Sequence, residues 1–326
     1  MKHSGMVRRA FVVFVSLMIV VFMVGPGHAK ELLPLKVSYL PIIDLLQFYV
    51  AMDKGFFEEE GLKVEGQKAQ GGAVSQTLVE SGSVDLGWTA VVPLSQAYVK
   101  GFDFAFIAPG GFNDRSNRST VALAVKKDSP LQSVKDLAGK KIAVNGIHSV
   151  NHLSVVTIAD FHGVDIKGMK FLEVPFPNQP AAIREGAVDA ASLNQPFLAI
   201  SVAEGVTREL YPGFFPPEIA ERYMISSWFV KRSALEKNKD KIGKFLRAIR
   251  KATDYINKNP GQMAELIAKN TKLDVKLLQK MTLPKFFTKV YKKDIQVQID
   301  LCAKYGFIAK GFDAKEIVAT DLVPLE

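Results

Sequence analysis

The chain is nearly without cysteine. Among its 326 residues Cys302 stands alone, so no internal disulfide can form and no cysteine cluster can hold a metal. Histidine is also scarce, at five residues. His148 and His152 are four apart and fit one helical face. No acidic ligand accompanies them at matching spacing and no H-E-x-x-H occurs, so no metal is expected there. The sequence contains no G-x-x-x-x-G-K run, no glycine-rich dinucleotide turn and no serine nucleophile elbow. These absences remove the common signatures of phosphate binding, redox cofactor binding and serine hydrolysis. No cofactor is expected and the chain does not read as an enzyme.

Charge is present but poorly focused. Lys2, Arg8 and Arg9 precede an apolar run, Ala10 to Val24, broken by Ser16. Gly27-His28-Ala29 places small residues at the two positions that a signal peptidase reads. The run is shorter than the roughly 20 residues needed to span a bilayer. Residues 1–29 therefore read as a cleaved signal peptide, and the protein as periplasmic. Without those three cations, 39 basic residues face 33 acidic ones. The surplus lies around Lys231 to Lys258 and Lys285 to Lys293, interleaved with Ile242, Phe245, Leu246 and Ile249 at helical spacing. That pattern describes solvated helix faces, not a nucleic-acid surface.

One phrase occurs twice. Glu80 to Trp88 reads ESGSVDLGW, and Arg184 to Ser192 reads REGAVDAAS. Gly82, Val84 and Asp85 thus correspond to Gly186, Val188 and Asp189. The flanking patterns agree. Val37 to Leu40 reads as a strand, Gln47 to Glu60 as a helix stopped at Gly61, and Leu62 to Glu65 as a strand. Ala73 to Ser81 reads as a helix stopped at Gly82, and Val84 to Gly87 as a strand. The second half repeats the plan. Ile142 to Asn145, Lys170 to Val174 and Val188 to Ser192 read as strands, and Ser149 to His162 and Pro180 to Glu185 as helices. Both aspartates are expected just inside their strands, in a turn or cap role.

Two further β runs, Thr120 to Val125 and Met224 to Val230, connect the halves. Ser233 and Glu236 form an expected capping box for a long helix. The rest, to about Tyr305, reads as helical with breaks at Asn259-Pro260 and Leu283-Pro284. A chain that leaves one lobe, builds a second and returns makes two crossings, which is a hinge. The expected division is lobe I at 34–124 plus 226–326, and lobe II at 125–225.

Several segments, taken in order, resemble a known family. They are Ala51 to Val64 (AMDKGFFEEEGLKV), ESGSVDLGW, Lys127 to Val144 (KDSPLQSVKDLAGKKIAV) and REGAVDAA. Together they are similar to the periplasmic solute-binding proteins of ABC importers, in the branch that takes nitrate, sulfonates, taurine and pyrimidine precursors of thiamine. The resemblance runs over roughly residues 34 to 260. It implies an α/β, two-lobed, type II-like fold with a sheet flanked by helices in each lobe and a two-strand hinge. It implies a monomer that clamps one small solute and delivers it to a permease at the inner membrane. It also implies where the solute sits: between the lobes, against the loop after the first strand, the strand ends and the helix N-termini.

By position, that assigns candidates. Pro41 to Gln47 is the first loop, with Asp44 its only charge and Gln47 at its end. Asp44 reads equally as a helix N-cap. Trp88 and Thr89 end a strand; Trp88 reads as a stacking surface or as core. Ser149 and Asn151 open a helix whose free N–H groups make an anion seat. Asn194 ends the echoed strand. Ser226, Ser227 and Trp228 lie on the returning run. Arg115 and Arg118 could grip a carboxylate or sulfonate, or stand solvated. This mix favours a small organic solute over an inorganic anion. Two other readings remain: a pyrimidine-synthesis enzyme, whose cysteine-rich iron run is missing here, and a sensory module that feeds a receptor.

Overall fold

Each echoed half builds a five-stranded sheet. The computed structural model describes residues 31–271 and 273–326; the segment expected to be a signal peptide lies outside the described residues. The first sheet runs Leu62–Lys68, Leu33–Tyr39, Leu86–Ala90, Ser226–Lys231, Phe104–Pro109. The second runs Lys170–Glu173, Lys141–Val144, Ala190–Asn194, Val121–Lys126, Thr207–Pro212. The first three strands of each are parallel, and the fourth is antiparallel to both neighbours. In both sheets the chain inserts that fourth strand directly after crossing over. The run Thr120 to Val125, expected to leave the first half, is therefore seated within the second sheet as Val121–Lys126. The expected boundary between 124 and 125 falls inside this strand.

A small third sheet marks the crossings. Gly111–Asp114 on the way out pairs antiparallel with Arg222–Met224 on the way back. Lys285–Phe286 adds a third strand to the expected two. The run Met224 to Val230 is thus split between this sheet and the first. The strand Phe104–Pro109 and the helix Val91–Val99 were not read from sequence.

The glycine stops are local chemistry. Gly82 and Gly186 hold φ of +73° and +71°, which L side chains rarely adopt, so each helix ends where its glycine stands. Asp85 and Asp189 come just before their strands, not inside them, since those strands begin at Leu86 and Ala190. The expected helix from Gln47 to Glu60 is two: Leu46–Asp53 and Phe56–Glu59, separated at Gly55 with φ +71°.

The long helix Leu235–Lys258 buries Ile242, Phe245, Ala248, Ile249, Ala252 and Ile256 along one stripe. Phe245 stacks on Phe57 at 5.5 Å and meets the Trp228 ring at 5.0 Å. Full burial of such side chains stabilises by about 1.5–3 kcal/mol each, which fixes this helix over the first sheet. The expected capping box is not made. A short 3-10 turn, Arg232–Ala234, precedes the helix and moves its cap to Ala234. The Ser233 N–H donates instead to Asp103 Oδ2 at 3.0 Å.

Candidate functional site

The parallel strands of both sheets end at one cavity. It is lined from the first half by Leu40, Ile42, Asp44, Gly72, Trp88, Ala90 and Pro93, and from the second by Asn145, Ser149, Val150, Asn151, Phe176 and Asn194. Ile225, at the returning crossing, completes it. Open α/β sheets place ligand sites at these carboxyl ends, where strands give way to helix N-termini.

Asp44 lies in the 3-10 turn Ile43–Leu45 that follows the first strand. The turn's cap residue is Ile42 and no side chain caps it, so Asp44 does not serve as an N-cap. Asp44 is 4 % exposed and its Oδ1 has no hydrogen-bond partner. Burial pushes its carboxyl up to about 7, against a smaller lowering by its own backbone N–H. Gly111 leaves room for it: a Cβ there would stand 3.1 Å from Asp44 Oδ1.

Trp88, in the middle of its strand, is 4 % exposed, and its Nε1 also has no partner. From the other half, Asn145 follows the strand Lys141–Val144, and its Oδ1 is buried and unpartnered. Of the fourteen buried side-chain atoms without a partner among the described residues, these three belong to one cavity and come from both halves.

Ser149 caps the helix Val150–Phe161, its Oγ accepting from the His152 N–H at 3.2 Å. Asn151 Nδ2 donates to Ser192 O at 3.1 Å, Ser192 Oγ at 2.9 Å and Asn194 Oδ1 at 2.7 Å. These bonds lock the amides of Asn151 and Asn194. With its Oδ1 turned to Asn151, Asn194 has its Nδ2–H donors to offer.

The remaining sequence candidates lie elsewhere. Gln47 points away, into the packing under the long helix, where its Nε2 donates to Thr253 Oγ1 at 2.7 Å. Thr89 alternates with Trp88 and faces the helix Gly72–Glu80, where Gln76 Nε2 donates to its Oγ1 at 3.4 Å. Arg115 is exposed in the turn after Gly111–Asp114. Arg118 donates through Nη2 to Pro212 O at 2.6 Å and covers the Tyr211 ring. Ser227 Oγ donates to Ala108 O inside the first sheet. Trp228 is 1 % exposed and packed by Phe48 and Phe245. Sequence reasoning missed Asn145 and Phe176 as lining residues. Asn145 carried a signal, being the polar residue that ends the second half's first strand.

The halves also touch outside the cavity. Gln96 Nε2 donates to His148 O at 2.8 Å. Lys304 Nζ and Tyr305 OH reach Asp160 Oδ2 at 2.7 and 2.8 Å. Phe307 packs on the His148 and His152 rings, both 4.9 Å away. Burial, and secondarily the neighbouring His148, lowers the His152 imidazole to about 4, so it is neutral at pH 7. The cavity is partly open and about 40 Å³, room for roughly three waters. A larger solute needs more space than this arrangement leaves.

A Haemophilus influenzae protein named as a candidate in thiamine biosynthesis is 27 % identical over 311 residues, covering 89 % of this chain and 92 % of its own. The 4-amino-5-hydroxymethyl-2-methylpyrimidine phosphate synthase of Aspergillus parasiticus is 26 % identical over 227 residues, covering 67 % of this chain and 64 % of its own. The crystal structure of the periplasmic aliphatic sulphonate binding protein SsuA from Escherichia coli superposes with a TM-score of 0.72 at 20 % identity, covering 89 % of this chain and 98 % of its own. That likeness gives the fold: a two-lobed binding-protein architecture of mixed α/β sheets flanked by helices. A family model described as NMT1/THI5 like matches residues 43–263, and the chain belongs to the NMT1/THI5-like family.

Proposed function

We propose that the protein is the extracytoplasmic solute-binding component of an ABC importer, holding one small organic solute between two lobes and presenting it to a membrane permease. The observation that carries this reading is the convergence of Asp44 Oδ1, Trp88 Nε1 and Asn145 Oδ1, unpartnered and buried, from both sheets on one cavity. A solute that satisfies both sides stabilises the closed arrangement, because only that arrangement makes both sets of bonds. The lobes divide at the third sheet, near residues 115–120 and 213–221, and close about it. Residues 1–29 direct export to the periplasm, where the protein works as a monomer.

The similarity to a synthase favours a second reading, an enzyme of pyrimidine synthesis. Cys302 argues against thiol or thiolate chemistry in this chain. It is buried among apolar side chains, and burial pushes its thiol up to about 12.

The test is a thermal-shift and calorimetric screen of the purified protein against sulfonates, carboxylates and hydroxymethyl-pyrimidines. A ligand at a hundred times its Kd adds about 2.7 kcal/mol of stability, and small-angle scattering should show compaction with it. Turnover of a pyrimidine precursor, or binding without any compaction, would count against the reading.

A further inference from the structure

Three helices begin at the cavity. Gly72 opens Gly72–Glu80, Ala90 caps Val91–Val99, and Ser149 caps Val150–Phe161. First-turn N–H groups have no partner within their own helix, and the N-terminal end of the dipole favours negative charge. Gly71 and Ala90 supply no side-chain cap. Taken alone, this end of the site suits a simple oxyanion.

Asp44 changes that expectation. Its carboxyl stands in the same cavity with Oδ1 unpartnered, and no lysine, arginine or histidine lines the cavity to offset it. Asn145 Oδ1 is a second waiting acceptor, and the side-chain donors that face it across the lining are Trp88 Nε1–H and Asn194 Nδ2–H. A solute that only accepts would leave both oxygens unsatisfied and would set its charge beside a carboxylate. A buried acceptor left unpaired costs about 1–3 kcal/mol, and more when charged.

We infer that Asp44 determines the specificity of this site, admitting solutes that carry an N–H donor group beside an acceptor or anionic group and rejecting oxyanions that only accept. The inference rests on the binding reading given under Proposed function. It narrows that reading from small organic solutes in general to bifunctional ones. The donor end faces Asp44 and Asn145, and the acceptor end faces the helix N-termini and Trp88.

The test uses matched pairs that differ only in the donor: taurine against ethanesulfonate, 4-aminobenzoate against benzoate, 4-aminopyrimidine against pyrimidine. Binding is measured by calorimetry at pH 8.5, above the Asp44 titration, so that a protonated Asp44 cannot serve an oxyanion as donor. The donor member of any binding pair should win by at least about a hundredfold, as sites built around buried polar groups do. Asp44→Asn, a neutral isostere that can both donate and accept, should cut that ratio at least about tenfold. Its melt and circular dichroism show whether it folds. Equal binding within a pair, or a ratio unmoved in a folded D44N protein, overturns this inference and leaves the binding reading standing. No binding by any member to a folded sample counts against the binding reading, and the inference falls with it.

Discussion

The carboxylate of Asp85 accepts the backbone N–H of Lys36 at 2.8 Å, and the Asp85 N–H returns a bond to Lys36 O at 2.9 Å. Asp189 and Lys141 repeat both bonds, each at 2.8 Å. The echo in the sequence is therefore one device used twice. Each aspartate pins the start of one strand, at Leu86 or Ala190, to its parallel neighbour, at the middle of Leu33–Tyr39 in one half and the start of Lys141–Val144 in the other. These ends lie opposite the cavity, which sits at the carboxyl ends. Asp85→Ala and Asp189→Ala should each cost about 1.5–3 kcal/mol, the range for a hydrogen bond to a charged group. Urea unfolding would read that loss, with ligand affinity unchanged. A mutant that loses binding while stability holds would contradict this role.

Asp44 should imprint a pH dependence on stability. Its folded value is raised to about 7, above an unfolded value near 4. The folded state therefore holds a proton that the unfolded state releases between these values. The protein should lose stability as pH rises from about 4 to about 7, then level off, by at most a few kcal/mol. Asp44→Asn removes the titration. Its melting temperature should exceed that of the parent at pH 8 and match it more closely at pH 4. A constant difference across that range would show that Asp44 does not titrate there.

Some of this was legible in sequence and some was not, for reasons visible in particular residues. The glycine stops at Gly82 and Gly186 are local: their φ values need no distant partner. The two tryptophans show the limit. Trp88 and Trp228 are register partners on adjacent strands, and each follows a short β run. Trp228 is covered by Phe48 and Phe245, from distant parts of the chain, whereas Trp88 keeps an unpartnered Nε1 at the cavity. Nothing within a few residues of either one encodes that difference. Gln47 fails as a candidate for the same reason, because Thr253, 206 residues away, claims it.

The same pair gives a prediction about fluorescence. Trp228→Ala would open a core cavity and cost about 3–5 kcal/mol. Trp88→Phe removes the unpartnered N–H together with part of the indole's bulk, so it should cost less than the alanine change at Trp228, about 1–2 kcal/mol. In a Trp228→Phe background the emission comes from Trp88 alone, and a bound solute should shift it. In a Trp88→Phe background the same solute should leave the Trp228 emission unmoved. A response from Trp228 with none from Trp88 would place the solute elsewhere.

The bonds of Lys304 and Tyr305 to Asp160 set how firmly the halves hold together without a solute. Both ionic partners are substantially exposed, at 57 % and 43 % of side-chain area, and exposed pairs contribute no more than about 1 kcal/mol. The hydrogen bond from Lys304, then that from Tyr305, lowers the Asp160 carboxyl below its ordinary value. Its contribution is therefore present at neutral pH and is lost as pH falls through that lowered value. Asp160→Asn at pH 7 should shift the open-to-closed ratio by at most about fivefold, the equivalent of that energy. Two labels, one on each half, would read the shift as a longer mean distance in the solute-free protein. Affinity for any bound solute should fall by a similar factor, since the solute then supplies the closure energy the bonds no longer give. High salt should weaken the parent's closure and leave the variant's unchanged. An unchanged distance distribution at every salt concentration would mean that the packing of Phe307 on His148 and His152 holds the halves without help from the ions.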